Sequence, residues 1–420
     1  MTEAATRQAV EAVFRIERPK LIAGLARLLR DLDAAEELAQ DAFLAALTDW
    51  PQGGMPDNPG AWLMTTARRR AIDALRRRKL QAEKLAELGA EPEPAAPFAS
   101  IDDIEAAMDH PVGDERLGLI FTACHPVLSP DARAALTLRL LCGLATAEIG
   151  RAFLVPEATI AQRIVRAKRT LGESGLAFAL PVASELPQRL GSVLEVVYLI
   201  FNEGYAATAG DDLVRPALCQ EAQRLGRVLA RLMPDQPEVF GLLALMELQA
   251  SRLAARADAD GSLVPISRQN RARWDHLLIH RGLAALAKAE ALGGERGAYA
   301  LQARIAACHA SARRFEDTDW PRIARSYDTL AQVLPSPIVE LNRAVAHSLA
   351  YGPEAGLRLL DAIAETPALQ AYAPLPAARG DCLLRAGRVL EARAQFERAA
   401  SLAQNARERD FLSERARQCH

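Results

Sequence analysis

Between Ala61 and Lys79 the chain sets seven cations, Arg68, Arg69, Arg70, Arg76, Arg77, Arg78 and Lys79, against one acid, Asp73, within nineteen residues. Trp62, Leu63, Ile72 and Leu75 recur through the same stretch at helical spacing, so one face of the helix buries and the other is a positive ridge. Such a ridge neutralises phosphates and releases their counterions, and a nearby aromatic ring offers a surface on which unstacked bases can lie. The plainer alternative is a solvated arginine face near a helix C-terminus, where cations also suit the dipole.

Residues 144–171 have the grammar of a helix-turn-helix. Ile149, Phe153 and Val155 are spaced to pack under a second helix whose inward residues are Ile160, Ile164 and Ala167. Glu157, Thr159, Gln162, Arg163, Arg166 and Lys168 would then face outward, a set able to bond base edges near the helix N-terminus and phosphates further along.

Groups for catalysis are scarce. His276 and His280 lie four apart on an expected helix beside Asp275, a spacing that could place two metal ligands on one face, but no HExxH glutamate and no third ligand accompany them. Cys124-His125 and Cys308-His309 are sequence neighbours that would point different ways on a helix, giving no nucleophile and base pair. A glycine-rich phosphate loop, a GxSxG elbow and a carboxylate pair are all missing. The expectation is no catalytic residue, no metal and no cofactor.

The elements that must hold these residues are helices. The chain has 420 residues, 50% of them hydrophobic but only 5% aromatic, it abounds in Ala, Leu, Arg and Glu, and alternating Val/Ile runs are scarce. The fold class is all-α, with two or three domains. Val10, Val13, Ile16, Leu21, Leu25, Leu28 and Leu29 mark a first helix. Ala34 to Trp50 forms a second, amphipathic helix with Leu38, Ala42, Phe43, Ala46 and Leu47 on one face. Residues 51–59 read as a loop, and a third helix runs from Gly60 to about Leu80.

Residues 1–80 are therefore one domain. Residues 81–113 form an acidic linker with EPEPAAP at 91–97 and a single lysine, residues 114–175 carry four short helices, and residues 181–420 make a third helical domain. Within that last domain, segments 298–334, 337–371 and 374–404 each read as a helix pair. Gly352 and Gly387 fall 35 residues apart, close to the 34-residue tetratricopeptide (TPR) period, with Ala377, Gly380, Ala392, Phe396 and Ala399 at the small or aromatic places of such a repeat.

Charge and cysteine usage set bounds rather than assign roles. Lys plus Arg number 51 against 53 Asp plus Glu, a net charge of -2, so any basic surface is local. Six scattered cysteines without a CxxC pair suit a reducing cytoplasm, and neither a signal pattern nor an apolar stretch of membrane-spanning length is found, so a soluble cytoplasmic protein without a membrane partner is expected.

The order of these parts resembles the extracytoplasmic-function (ECF) branch of bacterial RNA polymerase sigma factors. Asp33 to Phe43 resembles the region 2 signature, Ala61-Trp62-Leu63 through Asp73-Ala74-Leu75-Arg76-Arg77 resembles the promoter-melting helix, and residues 144–171 look like region 4. The resemblance covers residues 10–171 and implies a transcription initiation factor whose partners are core RNA polymerase, at its β′ clamp helices and β flap, and promoter DNA. It puts Asp33, Glu36, Glu37, Gln40, Asp41 and Phe43 on the clamp-binding surface. Trp62, Thr65, Arg68, Arg69, Asp73, Arg76 and Arg77 align with the reader of the minus-10 element, although many family members carry Asn where this chain has Arg69. Glu157, Thr159, Gln162, Arg163 and Arg166 match the minus-35 reader, with Lys168 and Arg169 holding phosphates.

Phe201-Asn202-Glu203-Gly204-Tyr205 and Arg268 to Asp275 resemble motifs of a subgroup with a large C-terminal TPR-like extension, which usually has Asp where this chain has Arg268 and Asn270. In that subgroup the extension modulates sigma activity, and a protein partner on it is a further expectation. Phe201, Asn202, Glu203, Gly204, Tyr205, Arg271, Arg273, Trp274 and Asp275 are candidates for a domain interface, the alternative being that they brace their own domain. Two other functions are open to the same sequence: a DNA-binding TPR adaptor that does not touch polymerase, and a metal-dependent enzyme resting on His276 and His280.

Overall fold

The computed structural model describes residues 3–87, 112–153, 155–176, 178–205, 215–258, 262, 264–403 and 406–419. Their regular elements are all helical, as the composition implies. The chain divides into two compact units, residues 1–196 and 197–420.

The first unit opens with α1 (Glu3–Leu29), α2 (Leu32–Gly53) and α3 (Pro59–Glu87). The Asp31 carboxylate starts α2 by accepting from the Asp33 and Ala34 amides at 2.9 and 3.1 Å, satisfying two donors that a helix end leaves unpaired. The buried stripe of α2 is Leu32, Ala35, Leu38, Ala39, Ala42, Ala46 and Trp50, recurring every three to four residues. Asn58 caps α3 in the same way, its side-chain oxygen accepting from Ala61 N at 3.1 Å, and Pro59 supplies a first residue that needs no donor. Two boundaries differ from expectation. α2 continues through Pro51 to Gly53, and α3 continues to Glu87 because residues 81–87, QAEKLAE, are strong helix formers. The rest of the acidic segment, residues 88–111, lies outside the described residues.

Four short helices follow, α4 (Val112–Ala123), α5 (Pro130–Leu140), α6 (Thr146–Phe153) and α7 (Glu157–Glu173). The first half of the next helix, α8 (Leu186–Tyr205), braces this block. Arg133, 6% exposed, reaches from α5 to the Ser192 hydroxyl and to Glu195 at 3.0 Å, and Arg189 donates to the Phe121 carbonyl at 3.0 Å.

The second unit is an α-solenoid in which successive helices pack on one another: α9 (Pro216–Leu232), α10 (Pro237–Ala250), α11 (His276–Ala291), α12 (Ala298–Ser311), α13 (Trp320–Val333), α14 (Pro337–Tyr351), α15 (Pro353–Ile363), α16 (Pro374–Arg385), α17 (Val389–Leu402) and α18 (Ala406–Arg417). The three helix pairs expected from the sequence are α12/α13, α14/α15 and α16/α17. Gly352 and Gly387 close the second and third pairs with φ of 96° and 78°, a left-handed conformation that disfavours any residue with a Cβ. In the last pair Ala392, Phe396 and Ala399 are buried, and a Cβ on Gly380 would sit 2.9 Å from the Phe396 ring.

Candidate nucleic-acid interface

α3 presents the ridge that its sequence implies. Thr65, Arg69, Asp73 and Arg77 are exposed at four-residue steps with Arg76 exposed three residues after Asp73, while Leu63, Ala67 and Ala71 are fully buried on the opposite side. Arg77 donates to the Asp73 carbonyl at 3.3 Å, and neither Arg69 nor Arg76 pairs with an acid among the described residues. Trp62 is half-buried at the start of the ridge, edge-on to Trp50 with centroids 5.3 Å apart. Arg68 is also half-buried, with its Nε unpaired. Arg70 leaves the ridge: it turns back to α2, where it donates to the Asp41 carbonyl at 2.8 Å and lies 3.4 Å from the Asp41 carboxylate.

α6 and α7 form the helix-turn-helix. Ile149, Ile160, Ile164 and Ala167 are buried, and Phe153 and Val155 are half-buried. The turn is tight enough that a Cβ on Gly150 would stand 2.7 Å from the Val155 carbonyl, so a side chain there would push the two helices apart. Glu157, Gln162, Arg166 and Arg169 are exposed on α7, Thr159 is half-buried, and Arg163 leans 3.3 Å from Asp131 on α5. Arg169 forms an exposed pair with Glu173 at 2.7 Å.

Lys168 departs from the outward set. Its ammonium lies 2.6 Å from both Asp33 and Glu36 on α2, and its side chain is only 10% exposed. Glu36 also takes the guanidinium of Arg18 on α1 and lies 3.3 Å from that of Arg139 on α5, while Arg18 donates to the Arg139 carbonyl at 2.7 Å. One carboxylate thus meets three cations from three helices. Burial works against the Lys168 ammonium, but Glu36 and Asp33 outweigh it and hold its pKa above that of a free lysine. On α2, then, Asp33 and Glu36 are engaged internally and Asp41 holds Arg70. Phe43 stacks on Phe14 with centroids 4.2 Å apart, leaving Glu37 and Gln40 facing solvent.

Residues 13–81 match the family Sigma-70 region 2, and residues 119–171 match Sigma-70, region 4. The two matches fall on α1–α3 and on α4–α7, in the order in which the ridge and the helix-turn-helix occur. The probable ECF RNA polymerase sigma factor SigI of Mycobacterium tuberculosis (strain H37Rv) is 26% identical over 174 residues, 41% of this chain and 58% of the relative. The ECF RNA polymerase sigma factor SigK of Mycobacterium sp. (strain KMS) is 29% identical over 165 residues, 37% of this chain and 77% of the relative. The chain belongs to the ECF sigma factors. An uncharacterized protein of Rhizobium meliloti (strain 1021) is 42% identical over 401 residues, 94% of this sigma factor and 92% of the relative, so the likeness extends through the second unit. Residues 189–290 of that unit match a family of unknown function, DUF6596.

In the sigma factor's second unit several of the motif residues pack on or bond to their neighbours. Phe201 is fully buried with Tyr205 stacked on it at 5.7 Å, Gly204 packs against Cys219, and Glu203 pairs with Arg215. Arg271 donates to the carbonyls of His309 and Ala312 and lies over Trp274, 4.7 Å from the ring centre. Asp275 caps α11 by accepting from Leu277 N and Leu278 N, while Asn202 and Arg273 are exposed. His276 and His280 are exposed, and no group of three His, Cys, Asp or Glu residues among the described residues is placed to hold a metal ion. No helix of the described residues is long and apolar enough to cross a membrane. Arg18 and Arg139 escaped sequence reasoning. Arg18 stands at one position of a long helix and Arg139 in the last turn of a short one, and neither periodicity nor composition links them to Glu36.

Proposed function

We propose that this sigma factor binds bacterial core RNA polymerase, directs it to promoters bearing two elements, and helps open the duplex at the upstream edge of the bubble. In this reading residues 1–80 contact the β′ clamp helices through the acidic face of α2 and capture the minus-10 element with Trp62, Thr65, Arg68, Arg69, Asp73, Arg76 and Arg77. Residues 114–175 read the minus-35 element in the major groove with Glu157, Thr159, Gln162, Arg163 and Arg166 and sit on the β flap. Residues 81–113 link the two, and residues 181–420 form a TPR-like domain that modulates activity. Duplex opening is then driven by binding, since stacking and pockets for flipped bases offset lost pairing.

The observation that carries the reading is the exposed stripe Thr65, Arg69, Asp73, Arg76 and Arg77, whose Arg69 and Arg76 have no acidic partner among the described residues, on a helix matched to region 2. Reconstituted transcription tests it: full-length protein and a 1–196 truncation, each with core polymerase, on a pool of promoter fragments. Specific transcripts from the full-length holoenzyme are expected. Absence of both transcripts and core-polymerase binding would leave the DNA-binding adaptor in its place.

A further inference from the structure

The second unit contains a cavity of about 540 Å³, within the range of small-molecule sites, walled by α10, α12, α13, α14 and the segment 264–274. Its lining is cationic and flat-sided. Arg252 and Arg256 contribute two guanidiniums, Trp274, Trp320 and Tyr327 contribute aromatic rings, and no Asp or Glu of the described residues lines it. Neither arginine has a carboxylate partner among the described residues, and each is held by a ring instead: the Arg256 guanidinium lies 3.9 Å from the centre of Tyr205 and that of Arg252 lies 5.6 Å from it. Four lining side chains also carry a buried polar atom without a protein partner, Arg256 Nε, Gln269 Oε1, Trp274 Nε1 and His309 Nδ1, a concentration that ordinary protein interiors avoid.

We infer that this cavity binds a small organic anion with a flat apolar body, an aromatic carboxylate being the simplest case. A carboxylate supplies the acceptor pair that a planar guanidinium fork matches, and it would neutralise charge that the lining leaves uncompensated. The aromatic walls take the body of the ligand, and Trp274 Nε1 and His309 Nδ1 lie among the lining side chains that could bond its polar edge. His309 is a neutral ring at pH 7, since burial, then Arg252 and Arg271, push its pKa down to about 4, so the positive charge offered to the anion comes from the arginines. The inference does not depend on how the first unit acts on DNA.

The test uses the full-length protein with naphthalene-2-carboxylate and indole-3-acetate, each against its neutral amide, by calorimetry and by quenching of tryptophan fluorescence. At least one carboxylate should bind saturably at one site per chain, about tenfold or more tighter than its amide. Arg252→Gln should remove that preference with the helical melting curve unchanged. Should Arg252→Gln fail to fold, Ala306→Leu, which fills the cavity and leaves the arginines in place, should abolish binding of both acid and amide. Equal affinity for acid and amide, no binding by either acid, or an acid preference that survives Arg252→Gln would overturn the assignment. So would saturable binding of an acidic peptide in place of both acids.

Discussion

Gln162 and Arg166 are exposed on α7, while Arg163 is tethered to Asp131 across 3.3 Å. That tether is an exposed pair of the kind worth about 0–1 kcal/mol, so DNA can take Arg163 from it without unfolding the domain. Replacing Arg163 with alanine should therefore leave stability nearly unchanged and remove about 1–3 kcal/mol of base discrimination. The measurement is the ratio of affinities for a cognate and a scrambled minus-35 duplex, and an unchanged ratio would sink the assignment. Arg76→Ala should instead weaken all sequences alike and flatten the salt dependence, because a phosphate contact carries no base information. A second residue-scale expectation concerns His309. Its pKa of about 4 in the folded chain lies below the 6.5 of a free histidine, the ring being buried with Arg252 and Arg271 facing it and Trp320 edge-on at 5.2 Å. The folded state thus prefers the neutral ring. Stability that is complete above pH 6.5 is lost as pH falls toward 4. The thermal midpoint of the second unit should drop through that window, and His309→Gln should flatten the drop.

At the scale of elements, Glu36 joins α1, α5 and α7 to α2 through Arg18, Arg139 and Lys168. Removing its charge leaves three cations close together with only Asp33 between them, and an uncompensated charge cluster of this degree of burial costs about 3 kcal/mol. Glu36→Gln should loosen residues 112–173 from α1 and α2, read as faster hydrogen exchange across that contact. Lys168→Ala should have a smaller effect of the same sign. Because the Lys168 pKa is raised, its contribution is intact below pH 10.5 and fades only as pH climbs past the raised value, so the contact should be insensitive to pH near neutrality. This network also marks where sequence reading stops. The α2 stripe, the α3 ridge, the helix-turn-helix and the three helix pairs are written in local periodicity, which needs only neighbours three or four positions away. Glu36 draws its partners from positions 18, 139 and 168, and nothing in a local pattern says which of 51 cations will meet which of 53 acids. The engagement of Lys168 inward, the loss of Arg70 from the ridge and the bracing role of Arg271 are the same kind of information. The overrun of α3 to Glu87 was legible in helix propensity, but the acid-rich composition of the segment obscured it.

For the molecule as a whole, the near-zero net charge conceals a division of labour. Cations are concentrated on α3 and α7, acids on α2, and in this arrangement part of the acid face of α2 is used up on Lys168. The first half of α8 completes the region 4 block: Ser192 and Glu195 accept from Arg133 Nη1, and the Arg133 side chain is only 8% exposed. A truncation ending at 175 removes both partners together with the buried Leu190, Val193 and Leu194 of α8, and each fully buried side chain of this kind contributes about 1.5–3 kcal/mol. A truncation ending at 196 keeps them. The 1–196 protein should therefore melt cooperatively and well above the 1–175 protein. Identical melting of the two truncations would show that α8 contributes nothing to the block. If they differ as expected, loss of transcription at 175 with retention at 196 reports on Arg133 and α8, and only the comparison of 1–196 with the full chain reads out what the solenoid does.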